Sequence, residues 1–161
     1  MMTRPTTPKA TRPDGLWLDD LAVGQAFASA EHEVTEQAII AFASEFDPQP
    51  YHLDPDAAEG TFFDGLVASG WHTAAITMRL LTQALPLAAG LIGAQGEMTW
   101  PSATVPGDRL RLEGIIDQIT PSASRPGRAS VFVTYQTVNQ RHQTRYRTTM
   151  RLLAWADPDR K

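Results

Sequence analysis

The segment from Gly70 to Leu85 is apolar on nearly every side, with Arg79 its one charged residue. Ser69 stands where a helix N-cap is expected, and Pro86 stands where a helix has to stop. A helix without a polar face must be buried, so the remainder of the chain has to enclose it. Everything after Pro86 reads as strand: Leu91 to Trp100, Asp108 to Ile119, Ser130 to Asn139 and Thr144 to Trp155. Apolar residues alternate at Leu110, Leu112 and Ile116, at Val131, Val133 and Tyr135, and at Tyr146, Met150 and Leu152. Turn-rich pieces, Pro106-Gly107-Asp108 and Pro121 to Gly127, separate these runs and predict antiparallel hairpins. The combination predicts an α+β fold, an antiparallel sheet wrapped around one long buried helix. Such a sheet leaves edge strands exposed, which predicts a homodimer or higher homo-oligomer.

The first half carries shorter elements. Asp20 to Ala28 reads as a lead-in and Phe27 to Val34 as strand. Thr35 is a predicted N-cap, with Glu36 in the first turn and Val34 and Ile39 placed as a hydrophobic staple. The helix it opens should run to about Phe46. Asp47-Pro48-Gln49-Pro50-Tyr51-His52 cannot continue it, because Pro48 disfavours the helical region for Asp47, and each proline lacks a donor. A stiff extended loop is the expectation there. Asp54-Pro55 then suits a cap and first position for one or two turns through Glu59, ended by Gly60.

A chain of 161 residues that is 42% hydrophobic has the material for one core, so residues 16–157 read as a single domain. Met1 to Gly15 is polar and Pro/Thr-rich and reads as a flexible tail. The net charge of -4 provides no broad positive field, which excludes nucleic acid and anionic membrane surfaces as expected partners. Arg145, Arg147 and Arg151 read as a solvated sheet face. The most apolar region, Ala74 to Ala94, is interrupted by Arg79, Gln83, Pro86 and Gly90, so no membrane span is expected and a cytoplasmic location follows. Without cysteine the chain has neither disulfides nor thiolate chemistry.

Asp47 and His52 share a proline-stiffened segment, so their side chains can converge at little further entropic cost. A neutral imidazole accepts a proton near ~pH 6.5, and a carboxylate beside it can orient the same water and return a proton to carbon. Spacing alone favours a plainer reading, with Asp47 capping local backbone and His52 filling a surface turn, because Asp and His are common in loops. At Ser69-Gly70 the start of the buried helix presents unpaired N–H groups and a positive dipole end, suited to an enolate-like oxygen. The plainer alternative makes Ser69 a cap and Gly70 a packing residue. Gln49, Trp71, His72 and Phe62 are candidate pocket residues, although a lone histidine on an apolar helix is more often a core or interface residue. Phe63 also bears on pocket width. His52, Asp54 and His72 lack the spacing of a metal site, and no metal is expected.

These features together resemble the MaoC-like dehydratase family, which includes the (R)-specific enoyl-CoA hydratases of the hotdog superfamily. The resemblance runs from about Leu18 to Leu153. It rests on Leu18-Asp19-Asp20-Leu21-Ala22-Val23-Gly24-Gln25, on Val34-Thr35-Glu36 with Ile39 to Phe42, on Asp47 to His52 with Asp54 and Ala57, on Phe63 to Gly70, on Val105-Pro106-Gly107-Asp108 and on Val138-Asn139-Gln140. It implies a hotdog fold and a lyase of fatty-acid type metabolism in which Asp47 and His52 are the catalytic pair and Gly70 is the backbone oxyanion donor. Gln49 stands in place of the family's usual asparagine, and Ser69 where many members have histidine. The implied reaction is hydration of an enoyl thioester, or the reverse dehydration, with coenzyme A or an acyl carrier as the thioester and without a cofactor. A hotdog thioesterase is the nearest rival, disfavoured because Gly70 to Leu85 contains no Asp or Glu. A non-catalytic acyl-thioester binding subunit is the rival from another class, motivated by Gln49 and Ser69.

Overall fold

A computed structural model describes residues 8–160. In chain order the elements are β1 (Ala26–Ala28), β2 (His32–Glu33), α1 (Glu36–Phe46), α2 (Pro50–Leu53), α3 (Pro55–Ala58), α4 (Gly70–Ala84), β3 (Ile92–Thr99), β4 (Arg109–Pro121), β5 (Arg128–Val138) and β6 (Thr144–Trp155), with a 3-10 turn at Leu18–Asp20. The sheet runs β1-β4-β5-β6-β3, every pairing antiparallel, and β2 also pairs with β4. Its inner face meets α4: Ile76, Leu80 and Leu81 form one core cluster with Leu110, Leu112, Ile116, Val131, Val133 and Leu152. This is the expected hotdog arrangement of an antiparallel sheet around a central helix. No helix among the described residues is long and apolar enough to cross a membrane.

The local chemistry of α1 follows its sequence. Thr35 Oγ1 accepts from the Ala38 amide at 3.1 Å, and Val34 and Ile39 are both fully buried as a staple. At α3, Asp54 Oδ1 accepts from the Asp56 amide at 2.9 Å and Pro55 occupies the first position.

Several expectations need correction. The strand from Phe27 to Val34 is two short pieces, β1 and β2, separated by residues 29–31. The extended loop through Asp47–His52 is extended only to Gln49; Pro50 then starts the helical turn α2, because a proline whose missing N–H is not needed fits a first helical position. Helix α4 is buried on one stripe rather than all round. His72, Thr73, Ile76, Thr77, Leu80 and Leu81 face inward, while Trp71, Ala75, Met78 and Arg79 are exposed on the single protomer. Strand β3, at one end of the sheet, is also largely exposed on both faces.

Arg145 does not lie on a solvated face. The pairing of β5 with β6 shifts between Thr137↔Tyr146 and Val138↔Thr144, so Arg145 is the extra residue of a bulge and turns inward beside Tyr146. Arg147 stays exposed and Arg151 is half-buried. The flexible tail expected over residues 1–15 falls in part outside the described residues, at 1–7. The part near the domain is held: the Thr11 and Arg12 amides both donate to Ala88 O, and Leu16 bridges Leu87. Gly15 permits that approach, because a Cβ there would come within 2.5 Å of Ala88 Cα.

Candidate active site

Asp47 ends α1 at its C-cap, and His52 sits in α2, only 4% exposed. The break between them is the Pro48-Gln49 step, after which α2 folds back so that His52 Nε2 lies 3.4 Å from Asp47 Oδ2. The imidazole tautomer follows from its other side. Nδ1 lies 2.7 Å from the Val67 carbonyl oxygen, an atom that only accepts, so Nδ1 carries a hydrogen and donates. In the neutral ring Nε2 therefore presents a lone pair, and the two acceptors, 3.4 Å apart, can be bridged by one donor with two hydrogens seated beside both.

The segment Val67-Ala68-Ser69, buried throughout, joins this pair to the central helix. The Val67 amide donates to Tyr51 O at 3.0 Å and the Ala68 amide to Thr104 O at 2.8 Å. Ser69 is fully buried, and its hydroxyl performs two tasks. Oγ accepts from the Trp71 amide at 3.2 Å as the cap of α4 and donates to Asp47 Oδ2 at 2.7 Å. The helix start is thus one hydroxyl away from the carboxylate. Gly70 lines the adjacent cleft at the first position of α4, where an amide N–H has no partner within the helix. A side chain at Gly70 would crowd the Trp100 indole, whose Nε1 donates to Gly70 O at 2.8 Å.

Asp47 is held as a carboxylate. Its pKa lies below the ordinary value, chiefly because Ser69 donates to it, with further support from Gln49 and the His52 charge outweighing burial. Gln49 Nε2 reaches Oδ1 at 2.6 Å. Both carboxylate oxygens are consequently engaged.

The cleft beside the pair has a volume of about 510 Å³. Asp47, Gln49, His52, Phe62, Phe63, Gly70 and Trp71 all line it, so seven of the residues singled out in the sequence come together. Ser69 lies behind them. His72 does not line the cleft and is corrected as a pocket candidate. Its ring stacks on Phe42 at 4.7 Å and 9°, because the third residue of α4 points to α1 rather than to the helix start. Burial, followed by the nearby His32, lowers its pKa.

Sequence reasoning missed the opposite wall: Trp100, Ser102, Ala103 and Thr104, with Thr73 beneath them. This wall is held from behind by a buried cluster. Arg145 Nε and Nη2 grip Asp108 at 2.8 and 3.2 Å, Asn139 Nδ2 donates to Asp108 Oδ1 at 2.9 Å, and Arg145 Nη1 donates to Ser102 Oγ at 2.9 Å. Trp100 followed by Pro101, just before the Val105-Pro106-Gly107-Asp108 turn, was the signal available in the sequence.

The comparison with known proteins agrees with this architecture. A profile of the MaoC like domain matches residues 20–139. The crystal structure of a MaoC-like dehydratase from Rhodospirillum rubrum is 56% identical and superposes with a TM-score of 0.87, covering 89% of this chain and 99% of that one. R-hydratase PhaJ1 from Pseudomonas aeruginosa, at 22% identity, shares the fold with a TM-score of 0.75 over 89% of this chain and 88% of its own. The uncharacterized protein YdeM of Bacillus subtilis (strain 168) is 41% identical over 63 residues, 39% of this chain and 45% of YdeM, so the match spans less than half of that relative. A profile matching most of the chain and a relative of high identity along nearly its whole length establish that this chain belongs to the MaoC-like dehydratase family.

Proposed function

We propose that this protein is a lyase that adds water to an enoyl thioester, or removes it from a 3-hydroxyacyl thioester, at the cleft between α2 and the start of α4. The observation that carries the reading is the 3.4 Å approach of the imidazole Nε2 to a carboxylate oxygen beside a helix start. A water with its oxygen about 2.8 Å from each acceptor would donate one hydrogen to Nε2 and one to Asp47. The thioester carbonyl would accept from the Gly70 amide, drawing electron density from the β-carbon.

The proton route follows from the imidazole tautomer. Nε2 carries the free lone pair, so His52 takes the water proton as the oxygen bonds to the β-carbon, while Asp47, its pKa lowered chiefly by the Ser69 hydrogen bond, holds the water as an acceptor. The carboxylate stabilises the imidazolium, and Nε2 returns the same proton to the α-carbon on the same face. Water supplies every atom added, and neither a metal nor a redox cofactor enters. The substrate is an acyl group on coenzyme A or an acyl carrier, the compartment in this reading is the cytoplasm, and the exposed stripe of α4 with the open β3 edge favours action as a homo-oligomer.

The test is hydration of crotonyl-CoA and longer enoyl-CoA thioesters, followed by loss of conjugated absorbance. Asp47→Asn and His52→Ala should each lower turnover by about 10²- to 10⁴-fold with the fold intact by circular dichroism. Near-normal turnover in both variants overturns the reading. Release of free thiol without hydration points to the thioesterase alternative, and binding without either product points to a non-catalytic subunit.

A further inference from the structure

We propose that Tyr51 is a positioning residue for both members of the pair, orienting Asp47 through Gln49 with its hydroxyl and His52 with its ring. The proposal rests on the hydration reading above. The hydrogen-bond logic fixes the direction of the chain of contacts. A carboxylate only accepts, so the Gln49 group at 2.6 Å from Asp47 Oδ1 has to be its NH₂. The amide oxygen then faces Tyr51, whose hydroxyl donates to it. Asp47 sets the amide orientation, since the flipped amide would oppose two oxygens there, and the Tyr51 hydroxyl holds that orientation by donating to the amide oxygen.

The same ring meets His52 edge-on, with centroids 4.6 Å apart at 84°, and Phe63 at 5.2 Å and 61°. Phe63 in turn meets Phe62 at 5.1 Å. Tyr51 and both phenylalanines line the cleft, so an acyl group seated there would pack against the ring that braces the imidazole. The backbone of Tyr51 is fixed without its side chain, through the Val67 amide on Tyr51 O and the His52 amide on Gln49 O at 2.9 Å. Removing the hydroxyl consequently isolates its effect on Asp47.

The expected result is that Tyr51→Phe lowers kcat by about 3- to 10-fold, the worth of one hydrogen bond, while KM stays within about twofold. The acid limb of the kcat profile should move to higher pH. Titration of ¹³C-labelled aspartate, with the Asp47 signal assigned by its loss in Asp47→Asn, should show the Asp47 carboxyl shifting upward in Tyr51→Phe. Gln49→Met should give the same upward shift, and the double variant should add nothing to Gln49→Met, because the hydroxyl acts only through that amide. Tyr51→Leu, which also removes the ring, should in addition move the His52 ring resonances.

An unchanged Asp47 titration in Tyr51→Phe, or full additivity with Gln49→Met, overturns the proposal. A loss of activity that tracks only a lowered melting temperature overturns it as well. If the wild-type protein hydrates no enoyl thioester while Tyr51→Phe still shifts the Asp47 carboxyl, the hydration reading fails and the positioning of Asp47 by Tyr51 stands.

Discussion

Asp108→Asn tests whether the wall of the cleft is held by a buried ion pair. Asp108 is 1% exposed and Arg145 6% exposed, and the carboxylate accepts from Arg145 twice, from Asn139 and from the Val105 amide. Asparagine preserves the shape and one acceptor oxygen, but it leaves the guanidinium buried without its counter-charge. Breaking such a pair from one side costs about 3–5 kcal/mol, and the retained acceptor places this variant near 3. At roughly 2–4 °C per kcal/mol for a chain of this size, the melting temperature should fall by roughly 6–12 °C. The pH dependence has a definite sign. Burial alone would raise the Asp108 pKa, yet donation by Arg145, Asn139 and the Val105 amide outweighs it and the value is lowered. Stability from this group is therefore complete above the unfolded carboxylate pKa near ~3.9 and is lost as pH falls through the lower folded value. Thermal or urea unfolding of both proteins from neutral pH to about pH 3 should show the gap narrowing at the acid end. A neutral-pH difference under about 1 kcal/mol, or a gap that does not change with pH, would refute the argument. Exchanging both partners for apolar residues of similar volume should recover most of the lost stability while slackening Ser102, the cleft residue that Arg145 holds.

Other consequences follow from the helix start. Ser69→Ala removes the cap of α4 and the chief donor to Asp47, so it should cost about 1 kcal/mol of stability and carry the acid limb of kcat to higher pH; a lower melting temperature with an unmoved limb would leave Ser69 as a cap only. The direction is set because the depressed pKa keeps Asp47 ionised to lower pH in the parent protein, and losing the donor brings protonation earlier on acidification. Gly70→Ala places a Cβ 3.0 Å from Trp100 Nε1, so the indole has to give by a few tenths of an ångström, which strains its bond to Gly70 O. Gly70 is the first residue of α4, where the gain in helix propensity is small, so stability should change by no more than about 1 kcal/mol while turnover falls about 10-fold or more. Tryptophan fluorescence reports the movement, and unchanged emission with full turnover would contradict the close packing described.

The legibility of the fold differs by element for physical reasons. The α4 segment and the strands β4 to β6 announce themselves because a long apolar run and a period of two are direct consequences of burial. The chain could not reveal that α4 keeps Trp71, Ala75 and Met78 exposed, since apolar composition does not distinguish a core from a surface awaiting a partner. Arg145 was misplaced for a sharper reason. Alternation assigns faces only while the register is continuous, and the bulge at Arg145 inverts the assignment for one residue and creates the buried pair with Asp108. Pro50 shows the same limit locally, because a proline signals a break from the preceding residue and equally a permitted start for the next turn.

At the site, residues close in sequence were legible and those brought by the sheet were not. Asp47, Gln49 and His52 fall within one proline-marked segment, and Ser69-Gly70 opens a helix, so each carries a local reason to be noticed. Ser102 and Thr104 have none, and Trp100 has only the Pro101 that follows it, since their place opposite Gly70 depends on how β3 leaves the sheet edge and on the Asp108 cluster behind them. The misassigned His72 makes the complementary point. It is two residues from Gly70, but two helical steps rotate a side chain by about 200°, which takes it out of the cleft and onto Phe42. Nearness along a helix is thus a poor guide to a shared site, whereas the turn from Asp47 to His52 returns on itself and brings the two side chains together. A chain break at Pro48 and a fresh helical start at Pro50 are what produce that return, which is why the prolines, although they carry no chemistry, decide whether the carboxylate and imidazole can act on one water.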